Sequence, residues 1–139
     1  MNKKGIRVVA VAQKNDIADV KDFSVKDESK MVLIGFIGFL DPPKESAKGA
    51  IERLNRDGIR VIVLTGDNEY VTKAICDKVN INTDKIILGS KVEKLSDAAL
   101  RRNLKKTNVF AKLSPIQKAR IIRVLKDAGN VVGYMGDGI

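Results

Sequence analysis

The sequence has no tryptophan, no histidine, one cysteine (Cys76), three prolines, two tyrosines and four phenylalanines in 139 residues. Each scarcity excludes something. Without histidine, and with one thiol, a Cys/His zinc site cannot be assembled, and a lone cysteine forms no internal disulfide. With 4% aromatic residues, stacking platforms for bases are scarce, so no nucleic-acid partner is expected. No apolar run approaches the roughly 20 residues that span a bilayer. The longest, MVLIGFIGFL at 31–40, is far shorter, carries two glycines and reads as a strand. The start MNKKGIRVVAVAQ is basic, but its apolar stretch is too short for an export signal and has no convincing cleavage site. Internal repeats and low-complexity tracts are missing as well.

What is present is a globular balance, 44% hydrophobic and 31% charged, in a chain long enough for one domain of ordinary size. The formal net charge of +9 is compatible with nucleic acid, acidic lipid or phosphorylated ligands. The basic residues are scattered along helical stretches, so a solvated surface accounts for them equally well.

The most informative stretch is IRVIVLTGDN at 59–68. Val61 to Leu64 are apolar without alternation, which suits a strand covered on both faces, as in a parallel sheet between helix layers. The polarity then switches to Thr65, Gly66 and Asp67: a hydroxyl, a flexible backbone that approaches a ligand closely, and a carboxylate. They stand at the carboxyl end of a strand, where open α/β sheets bind ligands. A capped turn, with Asp67 or Asn68 as N-cap of the next helix, would look the same.

Along the rest of the chain, IRVVAVA at 6–12 predicts a strand, with Arg7 its only charge. Residues 13–30 are polar without a sustained period and predict a loop. After the strand at 31–40, Asp41-Pro42-Pro43-Lys44 stiffens the chain while turning it, as a hinge would. Ala47, Ala50, Ile51 and Leu54 recur at helical spacing, and Gly58 stands where a left-handed cap belongs. A second stripe runs through Val71, Ala74, Ile75 and Lys78, with Cys76 packed as a small apolar group. Residues 86–88 and 109–111 predict short strands, and Ser96-Asp97 begins a helix that carries Leu100 and Leu104 on one face. Ser114, Pro115 and Gln117 specify a helix start three times over, as N-cap, first helical position and capping box. Lys118 falls in that first turn, where a cation beside the positive end of the helix dipole is unfavourable by a few tenths of a kcal/mol; a Lys reaching sideways into solvent is the plain alternative. Val131 to Met135 predicts a last strand running into Gly136-Asp137-Gly138-Ile139.

Alternation of strands and helices, with connections too long for hairpins, implies right-handed βαβ crossovers and an α/β Rossmann-like parallel sheet with flanking helices from residue 41 onward. Strand ends converge on one edge of such a sheet. Thr65 to Asp67, Lys118 and Asp137 can then surround one small anion plus a metal, a set that suits phosphoryl transfer with Mg²⁺.

The segments LDPPK (40–44), TGDN (65–68), FAKLSPIQK (110–118) and MGDGI (135–139) resemble, in order and spacing, the phosphorylation domain of P-type ATPases, pumps of the haloacid dehalogenase-like superfamily. The wording between them, including GYMGDGI and the LSDAAL helix, looks most like the bacterial magnesium-transporting branch. The resemblance implies that Thr65 and Gly66 bind the phosphoryl group with Asp67 beside them near the nucleotide. It also implies that Lys118 is the phosphate-binding lysine, that Asp137 is a Mg²⁺ ligand and that Arg7 contacts ATP. Lys112 stands where the family usually has an arginine at the nucleotide, and a lysine does not reproduce that planar fork. Residues 1–40 would be the β-rich tail of the nucleotide-binding domain and residues 41–139 a partial phosphorylation domain.

No DKTGT motif, which carries the family's aspartyl nucleophile, occurs in the sequence. The chain therefore reads as a cytoplasmic piece of a membrane-bound, ATP-driven cation pump, expected to be inactive alone and to work with the rest of the pump: nucleophile strand, nucleotide-binding domain and membrane helices. Two other readings compete. A free-standing phosphatase of the same superfamily would need a DxD-type loop after a strand, whereas Asp16, Asp19 and Asp22 lie in a polar stretch without one. A non-catalytic basic module would show salt-sensitive affinity for DNA or lipid.

Overall fold

The computed structural model describes residues 6–15, 22, 24–39 and 42–136, and of Arg7 the backbone alone. The first unit is a hairpin. Strand β1 (Arg7–Gln13) pairs antiparallel with β2 (Val32–Phe39), with Arg7 opposite Phe39 and an irregularity between Val11 and Ala12. Both strands are rich in β-branched and aromatic residues, as expected. Part of the segment predicted to be a loop folds instead as a short 3-10 turn, Val25–Asp27, closed by the Ser24 N–H and hydroxyl donating to Asp27 Oδ2, each at 2.9 Å.

The second unit is a three-stranded parallel sheet in the order β3-β5-β4, formed by β3 (Val63–Leu64), β4 (Ile86–Leu88) and β5 (Val109–Ala111). Among the described residues five helices accompany it: α1 (Ser46–Arg56), α2 (Glu69–Lys78), α3 (Gly89–Lys94), α4 (Asp97–Leu104) and α5 (Pro115–Asp127). The strands lack apolar/polar alternation because both faces are covered. Val61, Val63, Ile86 and Val109 pack with Cys76, Val79, Ile81 and the α1 residues Ala47 and Ile51. Their sequence neighbours Ile62, Leu64, Ile87 and Phe110 point the other way, into a cluster with Leu100, Leu104, Ile121 and Val124. The two-residue period of a strand thus sends alternate side chains to two helix layers.

Local signals explain where the helices start and stop. Asn68 caps α2 by accepting from the N–H groups of Tyr70 and Val71, and Ser96 caps α4 through Ala99. Ser114 and Gln117 form the expected capping box at α5, with Pro115 at its first position. Gly58, at φ +75°, ends α1 while Ile59 N–H reaches back to the Leu54 carbonyl, the left-handed stop that only glycine adopts without strain.

Three expectations are corrected. The stretch 59–64 enters the ladder only at Val63 and Leu64; Val61 to Leu64 are half-buried and Ile59 is exposed. It occupies an edge of the sheet, whereas β5 is buried throughout and lies between its neighbours. Val131 to Met135, predicted as a strand, is irregular, with Val131 and Met135 fully exposed. An apolar run becomes a strand only where a neighbour offers N–H and C=O groups, and among the described residues none pairs with it. The buried stripe of α2 is also rotated from the expected one: Val71, Thr72 and Cys76 are inside, and Lys78 is exposed.

Candidate phosphoryl and nucleotide site

Two loops leave the carboxyl ends of adjacent strands, residues 65–68 after β3 and 112–114 after β5. Backbone hydrogen bonds stitch them together. Thr65 N–H donates to the Phe110 carbonyl at 3.0 Å, Leu113 N–H to the Thr65 carbonyl at 3.0 Å, and Lys112 N–H to the Asp67 carbonyl at 2.8 Å. Within the first loop the Thr65 hydroxyl donates to Asp67 Oδ2 at 3.0 Å and accepts from Asp67 N–H at 3.1 Å. The Thr65 hydroxyl and the Asp67 carboxylate therefore hold each other in a compact turn, while exposed Gly66 donates its N–H to no acceptor among the described residues. A free backbone donor beside a hydroxyl is the donor set that an anionic oxygen requires.

Lys112 lies in the left-handed region, at φ +52°. A non-glycine residue held there is strained, a state that concentrates at functional sites. Its ammonium reaches back across the loops to Glu69 Oε2 at 3.0 Å. Glu69 is the first residue of α2; its own backbone N–H and then the Lys112 ammonium hold its carboxyl below the usual range. Oε2 is shielded from solvent and takes part in no well-directed hydrogen bond, so Lys112 serves it as a counter-charge.

Lys118 sits half-buried in the first turn of α5, its N–H bonded to the Ser114 carbonyl at 3.1 Å. Its ammonium makes no ion pair or hydrogen bond among the described residues. The α5 start is anchored to the end of β4 because Gln117 Nε2 donates to the Gly89 carbonyl at 3.2 Å. The structure thus joins Thr65, Gly66, Asp67 and Lys112 directly and sets Lys118 at the beginning of the helix that continues the second loop. Asp137 and the side chain of Arg7 lie outside the described residues, and no group of three or more His, Cys, Asp or Glu side chains able to hold a metal occurs among those described. Glu69 was not a sequence candidate, since an acidic residue in a first helical turn is expected on dipole grounds alone. The structure adds its partner.

A model of haloacid dehalogenase-like hydrolases matches residues 4–139. The chain belongs to this family. Among haloacid dehalogenase-like proteins, it is 45% identical over its full length to "Magnesium-transporting ATPase, P-type 1" of Escherichia coli K12, covering 16% of that protein. It is 47% identical, again over its full length, to the protein of the same name from Salmonella typhimurium, covering 15% of it. A more distant match, 32% identical over 98% of the chain and 15% of the relative, is the endoplasmic reticulum calcium ATPase srcA of Aspergillus fumigatus. The chain spans about a sixth of the length of the relatives it matches (16% of the Escherichia coli protein). The expected resemblance to P-type ATPases, and in particular to magnesium-transporting ones, is borne out at the level of these similarities. No helix among the described residues is long and apolar enough to cross a membrane.

Proposed function

We propose that this chain is a cytoplasmic piece of an ATP-driven, cation-transporting P-type ATPase, with magnesium as the transported ion, that helps hold the phosphoryl group and part of the nucleotide during formation and hydrolysis of an aspartyl phosphate. Residues 41–139 act as part of the phosphorylation domain, and residues 1–40 as the tail of the nucleotide-binding domain. The single observation that carries the reading is the backbone stitching of the 65–68 loop to the 112–114 loop at the carboxyl ends of β3 and β5. It builds one rigid bed from two chain segments, each with anion-binding groups.

In this reading the Thr65 hydroxyl and Gly66 N–H donate to the phosphoryl oxygens, and the Thr65 hydroxyl leaves the Asp67 carboxylate to do so. Lys118 offsets the negative charge that the oxygens carry. Asp67, Lys112 and Arg7 stand on the nucleotide side. Asp137 would hold Mg²⁺, which when bound neutralises phosphate charge. The donor set of hydroxyl, amide and lysine fits a phosphoryl group; the described residues add no carboxylate cluster of their own for the metal. The aspartyl nucleophile belongs to another part of the pump, as do the membrane helices, so the isolated chain binds ATP without autophosphorylating or hydrolysing it.

The test is an ATP titration of the purified chain followed by amide chemical shifts. Shifts are expected in the 65–68 and 112–118 segments, with roughly tenfold weaker binding after Lys118→Met, the loss of about one charge-assisted hydrogen bond. ATP turnover by the chain that survives both Asp137→Ala and Lys118→Ala would overturn the site assignment.

A further inference from the structure

We propose that Glu69 is a built-in competitor for Lys112, so that the Glu69–Lys112 pair sets and weakens the affinity of this site for the phosphates of a nucleotide. The inference rests on the nucleotide reading given above and adds a residue to it.

The geometry leaves Lys112 little choice. Its N–H is tied to the Asp67 carbonyl at 2.8 Å, its backbone is held at φ +52°, and the following N–H is tied to the Thr65 carbonyl at 3.0 Å. The side chain therefore departs from a fixed point on the bed, and its ammonium lands on Glu69 Oε2 at 3.0 Å. Glu69 is fixed as well, because α2 is locked at its start by Asn68, which accepts from two successive N–H groups at 3.0 Å. Two anchored backbones thus hold one cation against one anion at the mouth of the loop that carries Thr65 and Gly66.

This has a consequence for a polyanion. With the pair made, the ammonium is already neutralised, and the bed presents the carboxylates of Glu69 and Asp67 to incoming phosphates. Recruiting Lys112 to a phosphate oxygen strands Glu69 Oε2, which is shielded from solvent and makes no well-directed hydrogen bond. That oxygen loses its counter-charge while the rest of the side chain keeps some contact with solvent (30% exposed), so the nucleotide gains the lysine by displacing the glutamate at a moderate cost. Glu69 thereby acts as a specificity-determining residue: it disfavours ligands that offer only weak negative charge and lets a polyphosphate through. Because half of the Lys112 side chain is in solvent (53%), the effect is moderate and salt-dependent, roughly two- to fivefold in affinity at low ionic strength, the range of exposed ion pairs.

Glu69→Gln keeps the shape and removes the charge. ATP and adenosine would be titrated into the 139-residue chain, its Glu69→Gln and Lys112→Gln variants and the double variant, at low and high salt, with circular dichroism confirming that each is folded. The expected result is ATP binding roughly two- to fivefold tighter in Glu69→Gln, adenosine binding unchanged, a gain that shrinks with salt, and a gain at least halved when Lys112 is already Gln. Unchanged or weaker ATP binding in Glu69→Gln, while Lys112→Gln weakens binding to the unaltered chain, overturns the competitor role and leaves the nucleotide site standing. Equal gains with and without Lys112 also overturn it, reducing Glu69 to a general repulsive charge. Absence of ATP binding in every variant removes the nucleotide reading and this inference together. Should Glu69→Gln be unfolded, Glu69→Asp, which shortens the reach to Lys112 while keeping the charge at the helix start, tests the pair alone: tighter ATP binding that depends on Lys112 supports the competitor role, and unchanged or weaker binding overturns it.

Discussion

Gly89 lies so close to the loop after β5 that a Cβ placed on it would overlap the Lys112 carbonyl oxygen and sit 2.5 Å from Gln117 Oε1. Glycine is required here for space, and the obstacle is backbone, which cannot swing aside as the end of a side chain can. Gly89→Ala is expected to destabilise the fold by about 1–3 kcal/mol, the usual range for overpacking, and to weaken ATP binding by displacing the 112–114 loop. Urea unfolding beside the ATP titration checks both; full stability would show that the loop gives way freely.

Arg120 on α5 organises the turn between α3 and α4. It donates to the carbonyls of Val92 at 2.9 Å and Leu95 at 2.6 Å and to Asp97 Oδ1 at 2.6 Å. Arg120→Ala leaves these acceptors without their partner and is expected to cost about 1–3 kcal/mol. Asp97→Asn, which removes only a half-exposed charge, should cost less. Arg120 also holds the Asp97 carboxyl below its usual range, chiefly by hydrogen bonding. This contribution to stability is present above the unfolded carboxyl value, about 3.9, and is lost as pH falls through the lower folded one. Urea midpoints measured from about pH 5 downward should fall, and less steeply in Arg120→Ala.

Cys76 is 1% exposed, and burial first, then the neighbouring Asp77, pushes its thiol up to about 11. A thiol held protonated and covered reacts slowly, so modification by a disulfide reagent at about pH 8 is expected to wait for opening of the fold and to accelerate in urea. The folded value is the higher one. Its share of stability is therefore complete below the unfolded value near 9 and declines as pH rises from there through about 11. Cys76→Ala should flatten that decline in urea midpoints.

The α5 start is built on reciprocity: Ser114 Oγ accepts from Gln117 N–H at 3.3 Å and Gln117 Oε1 from Ser114 N–H at 3.0 Å. Ser114→Ala should lose about 1 kcal/mol and Ser114→Gly only a few tenths. Gln117→Ala additionally releases the Gly89 carbonyl. Because the two side chains cap each other, the double variant is expected to lose less than the sum, and a thermodynamic cycle from urea unfolding measures the difference.

Much of the parallel unit is legible in the amino-acid sequence. Asn68, Ser96 and Ser114 announce their helices because an N-cap acts on N–H groups two or three residues away. The unbroken apolar strands announce helix layers on both faces, and the distribution of Val109 and Phe110 between two clusters shows why. The loop at Thr65 to Asp67 is legible as an anion bed, and its internal Thr65–Asp67 hydrogen bond follows from residues two positions apart. Val131 to Met135 misleads because strand propensity describes a surface that fits a sheet, and the partner is a separate requirement.

By itself, then, the sequence determined most of the elements, the caps of α2, α4 and α5, the two-sided sheet and the family, since each depends on residues within a turn or two of one another or on motif wording; helix α3 (Gly89–Lys94) carried no such signal. Tertiary structure alone decided that β5 lies between β3 and β4, that the 59–64 stretch stands at an edge, and that the Lys112 ammonium pairs with Glu69. The reason is physical: strand order and a left-handed turn at Lys112 bring together side chains that are remote along the chain, and no local period encodes which cation will meet which anion.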